Sequence, residues 1–435
     1  MYQLNLTVLI AWSFTGRHAD FTLALVNILI LSHFAGSSKH GMIYRNYALA
    51  HEWLRQGHNV TVIASSYSHY RQIQPETKGR ITQETIDGIR YIWVKTHPYV
   101  ATSNLGRVSN MLSFTAQCMW LPLPLSEGFD IIMCSSPHPL VIYPAYKLTQ
   151  RFNCRLIYDI RDLWPLTVKM LGNISEKHPF IRLLQHAEDY ACKHADLVTA
   201  VPHNAQDYLA SRGLPKERFL PIANGVAENP SEPEPLPPTH SEIMDAVTAR
   251  AKYIIGYVGT LGTANAMADV IHAMSRISES VHLAILGDGS ERNSLQILAN
   301  DLNLNNRVHF LSPVSRQQVQ SFLKYIDIGY AGTNKSPLYQ YGASLTKIND
   351  YMVAGLPIIY AVGDPNNAVE LSKAGISCNP GDSSEIAAAI NQITNMTKEQ
   401  LVNIGHYGKE WCIKNQLIST QANFILTKLN DLPKR

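Results

Sequence analysis

The run Tyr341-Gly342-Ala343-Ser344-Leu345-Thr346-Lys347-Ile348-Asn349-Asp350 carries a cation and a carboxylate three residues apart, behind a Gly/Ser segment. Ser344 is a favoured N-cap and predicts a helix opening there. Lys347 and Asp350 then share a helix face, one turn apart. Gly355 ends the helix, and Pro357 leads into an apolar strand from Ile358. A lysine and a carboxylate at a helix start, under a glycine loop, suit a ligand with anionic phosphates and sugar hydroxyls. The plainer reading of the same residues is an ordinary helix-to-strand joint.

Three further segments hold candidate chemistry. In Ile285-Leu286-Gly287-Asp288-Gly289-Ser290-Glu291-Arg292 a strand enters a glycine turn and a helix start. Gly287 and Gly289 permit close approach of a ligand to the backbone, and Arg292 in the first turn could reach a diphosphate. The alternative is a tight turn with a surface arginine. Gly256 to Asn265, including Gly259 and Thr260, forms the first strand-to-helix turn of the second half. In the first half, Tyr158-Asp159-Ile160-Arg161-Asp162-Leu163-Trp164-Pro165 leaves a strand at its carboxyl end, where open α/β sheets bind ligands. Asp162 and Arg161 would face such a cleft, unless they form an ion pair capping the next segment. Cys134-Ser135-Ser136-Pro137-His138 reaches the same edge. A lone histidine is more often structural, but the position of His138 favours a cleft-facing loop.

The elements that must position these residues alternate in type. Ile28–Leu31, Val60–Ala64, Ile131–Cys134, Leu156–Asp159 and Leu197–Ala200 are short apolar runs, with a helix over Tyr44–Gln56. Thr85–Val94 predicts a hairpin turning at Asp87-Gly88. Alternation resumes at Tyr253–Val258 and continues through Val281–Leu286, Val308–Leu311, Ile326–Ala331 and Ile358–Val362. This pattern predicts two doubly wound, Rossmann-like α/β halves. Between them, Glu228–Pro238 carries five prolines and three glutamates and reads as a solvated loop.

Length and charge narrow the function. At 435 residues and 46% hydrophobic, the chain has ample material for two cores. A net charge of +3 implies no general nucleic-acid surface. Between Gly36 and Trp120, however, nine Lys/Arg face four Asp/Glu. That reads either as a solvated basic face or as a surface for an anionic acceptor or membrane. Six scattered cysteines without C-x-x-C spacing fit reduced cytoplasmic thiols and no zinc site. The apolar runs Leu4–Phe14 and Phe21–Val26 fall short of the ~20 residues of a membrane span. No signal peptide is expected, and residues 1–26 read as an extension or the product of an upstream start codon.

The Lys347/Asp350 helix and the Gly287–Arg292 turn completed by Leu295 resemble the nucleotide-sugar motif of retaining GT-B glycosyltransferases of family 4. His33–Arg45, Ser65–Arg71, Asp162–Pro165 and Ile222–Val226 further resemble bacterial O-antigen and capsule glycosyltransferases of the L-fucosamine transferase type. The resemblance runs roughly from Asn27 to the C-terminus. It implies the GT-B fold: an acceptor domain over 27–222, a nucleotide-sugar domain over 223–410, and a helix over 411–435 crossing back. It implies retaining transfer from a UDP-sugar, such as an N-acetylated deoxyhexosamine, to a polyprenyl-diphosphate-linked saccharide in O-antigen, capsule or exopolysaccharide synthesis. The place would be cytoplasmic, peripheral on the inner face of the membrane. No cofactor and no metal are expected, since no D-x-D is present. Donor contacts would come from Gly259, Thr260, Gly287, Asp288, Gly289, Arg292, Ser344, Lys347 and Asp350, with Asp350 on the ribose. Catalytic groups would be Asp162, Arg161 and His138. Acceptor contacts would be Gly36, Lys39, His40, Arg45 and Arg107, with Lys39, Arg45, Arg71 and Arg107 on lipid phosphates. The chain departs from the family in two places. Thr260 and Asn265 stand where an Arg and a Lys are usual, and the E-x7-E pair becomes Gly342 and Asp350. A UDP-sugar epimerase and a non-catalytic assembly scaffold remain as alternatives.

Overall fold

Short β-branched runs buried on both faces cannot stand at a solvated sheet edge, and they assemble here as two mostly parallel sheets. The computed structural model describes residues 25–41, 45–100, 104–124, 126, 128–227 and 232–434. Leu4–Phe14, most of Phe21–Val26, Met42 to Tyr44 and residues 228–231 of the Pro/Glu segment lie outside them. The first sheet contains β1 (Asn27–Leu31), β2 (Asn59–Ser65), β3 (Ile81–Ile86), β4 (Ile89–Val94), β5 (Ile131–Ser135), β6 (Arg155–Ile160), β7 (Leu197–Ala200) and β8 (Phe219–Pro221). Their order is β3-β4-β2-β1-β5-β6-β7-β8. Only β3 runs antiparallel, paired with β4 through the Asp87-Gly88 turn, where both residues take positive φ. The second sheet contains β9 (Tyr253–Val258), β10 (Val281–Leu286), β11 (Val308–Leu311), β12 (Ile328–Gly332), β13 (Ile358–Ala361) and β14 (Gly375–Ser377). Its order is β11-β10-β9-β12-β13-β14, all parallel.

Alternation along β1 divides the first core. Leu29 and Leu31 pack with Phe114, Leu148 and Leu184, whereas Ile28 and Ile30 pack with Trp53 and with Ile425 and Leu429. The last two belong to the C-terminal helix Ile418–Asp431, so the end of the chain closes the first sheet. The preceding helix, Lys398–Gln416, lies on the second domain, with Cys412 in that core. The crossing is fixed by main chain: Val226 N–H donates to Gln416 at 2.7 Å and Ile418 N–H to Val226 at 2.9 Å.

Two local expectations differ. The helix expected from Ser344 runs Thr346–Val353 instead. The Ser344 hydroxyl is taken by the Asn224 N–H at 3.1 Å and leaves the cap empty. β8 and β14 are three-residue edge strands that no apolar run announces.

Candidate functional site

The residues expected to contact the donor gather where β9 and β10 end side by side. Gly259 has φ +143° and Gly287 φ +157°. A Cβ on Gly287 would lie 1.9 Å from the Gly259 carbonyl, and one on Gly289 2.2 Å from that of Leu261. Only glycine allows these two turns to touch. The Thr260 carbonyl accepts from Tyr257 Oη at 2.8 Å and Asn265 Nδ2 at 3.0 Å, which stiffens the loop. Lys347 reaches over this loop from the facing helix. Its Nζ stands 3.8 Å from the Tyr257 ring centroid and 3.5 Å from Asn265 Oδ1. With no carboxylate beside it, burial pushes its ammonium down to about 7.

Asp288 is exposed, and its Oδ1 caps the Gly289 N–H at 2.8 Å. Arg292 folds back onto the main chain at the base of the turn. Its Nη1 donates to the carbonyls of Gly287 at 2.6 Å and Leu311 at 3.2 Å, and Nη2 to that of Phe310 at 3.4 Å. The expectation of a diphosphate contact thus meets a guanidinium already engaged in tying β10 to β11. Asp350 is 7% exposed. Both of its oxygens accept from Arg316, Oδ2 from Nη1 at 2.6 Å and Oδ1 from Nη2. Burial raises its carboxyl pKa and Arg316 opposes the shift.

The loop before this helix is pinned to the first domain. Gly342 has φ +105°, and a Cβ there would lie 2.6 Å from His203 Nδ1 and 2.8 Å from its main-chain nitrogen. No glutamate fits this backbone, which accounts for the altered E-x7-E pair. His203 Nε2 lies 3.3 Å from Asp364 Oδ1, and Asp364 Oδ2 accepts the Ala343 N–H at 3.1 Å. Burial pushes the Asp364 carboxyl up to about 6. Asn224 donates from Nδ2 to the Ser344 carbonyl at 2.8 Å.

Between the domains lies a cleft of ≈ 440 Å³, whose walls include Asp162, Arg161 and Phe34 on one side and Tyr341, Gly342 and Ser344 on the other. Asp162 opens onto it, and desolvation inside the cleft raises its carboxyl pKa against the pull of Arg161. The Arg161 N–H is fixed on Ser136 Oγ at 2.7 Å.

Several expected contacts lie elsewhere. His138 is 1% exposed and does not line the cleft. It joins a buried chain, His138 Nε2 to His33 Nδ1 at 2.8 Å and His33 Nε2 to Asn110 Oδ1 at 2.6 Å. Burial pushes it down to about 3, so it is neutral. Arg45 is buried on Asp159 at 3.1 Å and on the carbonyls of Ile222 and Ala223, where it holds the first sheet to the interdomain connection. Arg71 is buried too, donating to the Ala35 carbonyl at 2.9 Å and stacking on Trp93, with burial lowering it to about 9. Lys39 pairs with Glu84 at 2.7 Å. His40 is buried against Trp93 and Ser37 Oγ, and burial lowers it to about 4. The Gly36 carbonyl is taken by Tyr91 Oη at 2.9 Å. Arg107 alone of this set flanks the cleft, 5.9 Å from the Phe34 ring centroid and 5.8 Å from that of Trp164. Of the nine Lys/Arg in this segment, Arg45 and Arg71 are thus core residues and Lys39 and Arg55 sit in local ion pairs, while Lys78, Arg80 and Lys95 stay exposed. Arg316, His203 and Asp364 were not among the expected site residues, and Asn224 entered only through the resemblance of Ile222–Val226. Gly363-Asp364-Pro365 after β13 and Asn224-Gly225 at a strand end were the available signals for two of them.

A model described as glycosyl transferases group 1 matches residues 241–411, and a glycosyl transferase 4-like domain matches residues 40–225. The lipopolysaccharide core biosynthesis glycosyltransferase LpsE of Rhizobium meliloti (strain 1021) is 29% identical over 140 residues, 32% of this chain and 38% of that protein. The chain thus matches under two-fifths of that relative's length. Among solved structures, HepE of Anabaena in complex with UDP superposes with TM-score 0.63 and 18% identity, covering 93% of this chain and 100% of that one. Sucrose-phosphate synthase of Thermosynechococcus elongatus gives 0.66 and 17%, covering 93% and 99%. Trehalose-6-phosphate synthase OtsA gives 0.68 and 14%, covering 94% and 100%. The fold is GT-B.

Proposed function

We propose that this GT-B chain, matched in both halves by glycosyl transferase models, is a retaining glycosyltransferase that moves a sugar from a UDP-sugar to a lipid-linked saccharide. The observation that carries the reading is Lys347: a half-buried ammonium without a carboxylate partner, poised over the Gly259 turn. Such a group is costly until an anion arrives, and a diphosphate is the anion that the touching glycine turns accommodate. The HepE structures with UDP and with UDP-glucose support a uridine nucleotide.

As the sugar–phosphate bond breaks, negative charge grows on the leaving diphosphate. Lys347 and the main-chain amides of the Gly259 turn stabilise it more strongly in the transition state than in the ground state. The departing diphosphate takes the acceptor proton on the face it leaves, which preserves configuration. Asp162 and Arg161 line the opposite wall and align the acceptor hydroxyl. Charge compensation by Lys347 leaves no step that calls for a metal. An N-acetylated deoxyhexosamine such as N-acetyl-L-fucosamine remains the proposed sugar, from the resemblance of the motifs.

The lipid-linked acceptor draws support from the lipopolysaccharide role of LpsE. Membrane contact is reassigned from the basic residues to an apolar face. On helix Asn104–Cys118 and just beyond it, Leu105 is 85%, Leu112 42% and Trp120 73% exposed. Apolar side chains at this spacing in water are costly and suit an interfacial position. No helix among the described residues is long and apolar enough to cross a membrane.

The test is UDP release from a panel of UDP-sugars, with and without a polyprenyl-diphosphate saccharide. Release that requires the acceptor supports transfer. Conversion of the UDP-sugar without acceptor would identify an epimerase, and no turnover with any pair would leave the scaffold.

A further inference from the structure

Asp350 is the shorter carboxylate at a place where the resembling family carries glutamate, and it is buried. Two consequences follow. The aspartate reaches one methylene less far toward a ligand, and burial favours its neutral form, in which one of the two acceptor oxygens becomes a hydroxyl donor. Arg316 answers the second. It is the first residue of helix Arg316–Leu323, anchored by a full capping box between Ser315 and Gln318. Its guanidinium meets Asp350 fork to fork, one N–H to each oxygen. This geometry leaves a second lone pair on each oxygen, directed away from the arginine. Ser315 and Arg316 follow the end of β11 and Asp350 lies on the helix Thr346–Val353 between β12 and β13, so the pair ties two separate elements of the second domain together.

We propose that Arg316 is a positioning residue of the nucleotide site, holding Asp350 ionised and oriented to accept the ribose hydroxyls of the donor. This rests on the proposed reading of that site. The guanidinium is 66% exposed and solvent screens it, but the carboxylate is buried and its charge depends on the partner. Other titratable groups facing Asp350 do not compete. Cys412, on the packed helix Lys398–Gln416, is pushed up to about 12 by burial, and Tyr351 on its own helix is also raised by burial. Lys347, one turn away, points to the Gly259 loop, and its shift to about 7 comes from burial alone.

The experiment is calorimetric titration of UDP into the full chain from about pH 5.5 to 8.5, using the native protein, Arg316→Gln, Arg316→Lys and Asp350→Asn. Thermal unfolding without ligand shows that each variant is folded. In Arg316→Gln the acid limb, where protonation of Asp350 weakens binding, should move to higher pH, with affinity near neutrality about tenfold lower. The alkaline limb set by Lys347 should stay, as should the titration of UDP itself, and both serve as internal controls. Arg316→Lys should restore the acid limb while recovering only part of the affinity, because a lysine supplies charge without the fork. Asp350→Asn should weaken binding and lose the acid limb associated with Asp350. If Asp350→Asn weakens UDP and Arg316→Gln leaves both affinity and acid limb unchanged, Arg316 has no positioning role. If neither variant alters UDP binding, the assignment of the nucleotide site itself fails.

Discussion

At the scale of single residues, Lys347 governs the account. Its ammonium is lowered by burial to about 7, so above that value much of the free protein carries it neutral. Bound diphosphate favours the charged form. Binding is therefore coupled to proton uptake above pH 7, and affinity falls as pH rises, by up to about tenfold per unit. Calorimetry in two buffers of different ionisation enthalpy should give different apparent enthalpies near pH 8 in the native protein and equal ones in Lys347→Met. Equal enthalpies in both proteins would show that no proton moves to this lysine. Lys347 was legible because it shares a helix and a local motif with Asp350. Arg316 was not, because its partner lies 34 positions away and only the folded sheet brings them together.

At the scale of elements, strands were readable wherever an apolar run was buried on both faces, as in β7, β9 and β10. β8 and β14 are half-exposed, and Phe219-Leu220-Pro221 and Gly375-Ile376-Ser377 contain no run to read. Charge was harder to read than apolarity. Arg45 and Arg71 counted as surface cations in the sequence, yet their guanidinium groups satisfy main-chain carbonyls inside the first domain. The loop 336–345 makes a sharper point. Its Gly342 was read as a lost glutamate, whereas the backbone there admits no side chain beside His203. Gly342→Glu should thus destabilise the protein, by about 1–3 kcal/mol from the positive φ alone. It should lower the melting temperature and the rate of UDP release together. A variant with unchanged melting temperature and faster transfer would contradict the steric account.

At the scale of the whole molecule, the C-terminal helix Ile418–Asp431 closes the first core, and the pinned loop joins the domains at the cleft. The exposed side chains of Leu105, Leu112 and Trp120 are the proposed contact with a bilayer. Flotation with anionic vesicles should show binding that persists in high salt, since apolar insertion is not screened. Leu105→Ser combined with Trp120→Ser should reduce it. Binding abolished by salt and indifferent to those substitutions would return the contact to surface charge.

The most direct measurement is the structure of the protein in complex with UDP. The diphosphate should lie between the Gly259 turn and Lys347, with Nζ moved from the Tyr257 ring into hydrogen-bond range of a phosphate oxygen. The ribose hydroxyls should lie on Asp350, still forked by Arg316. A nucleotide bound outside the second domain's strand ends, or one that leaves Lys347 stacked on Tyr257, would contradict this placement.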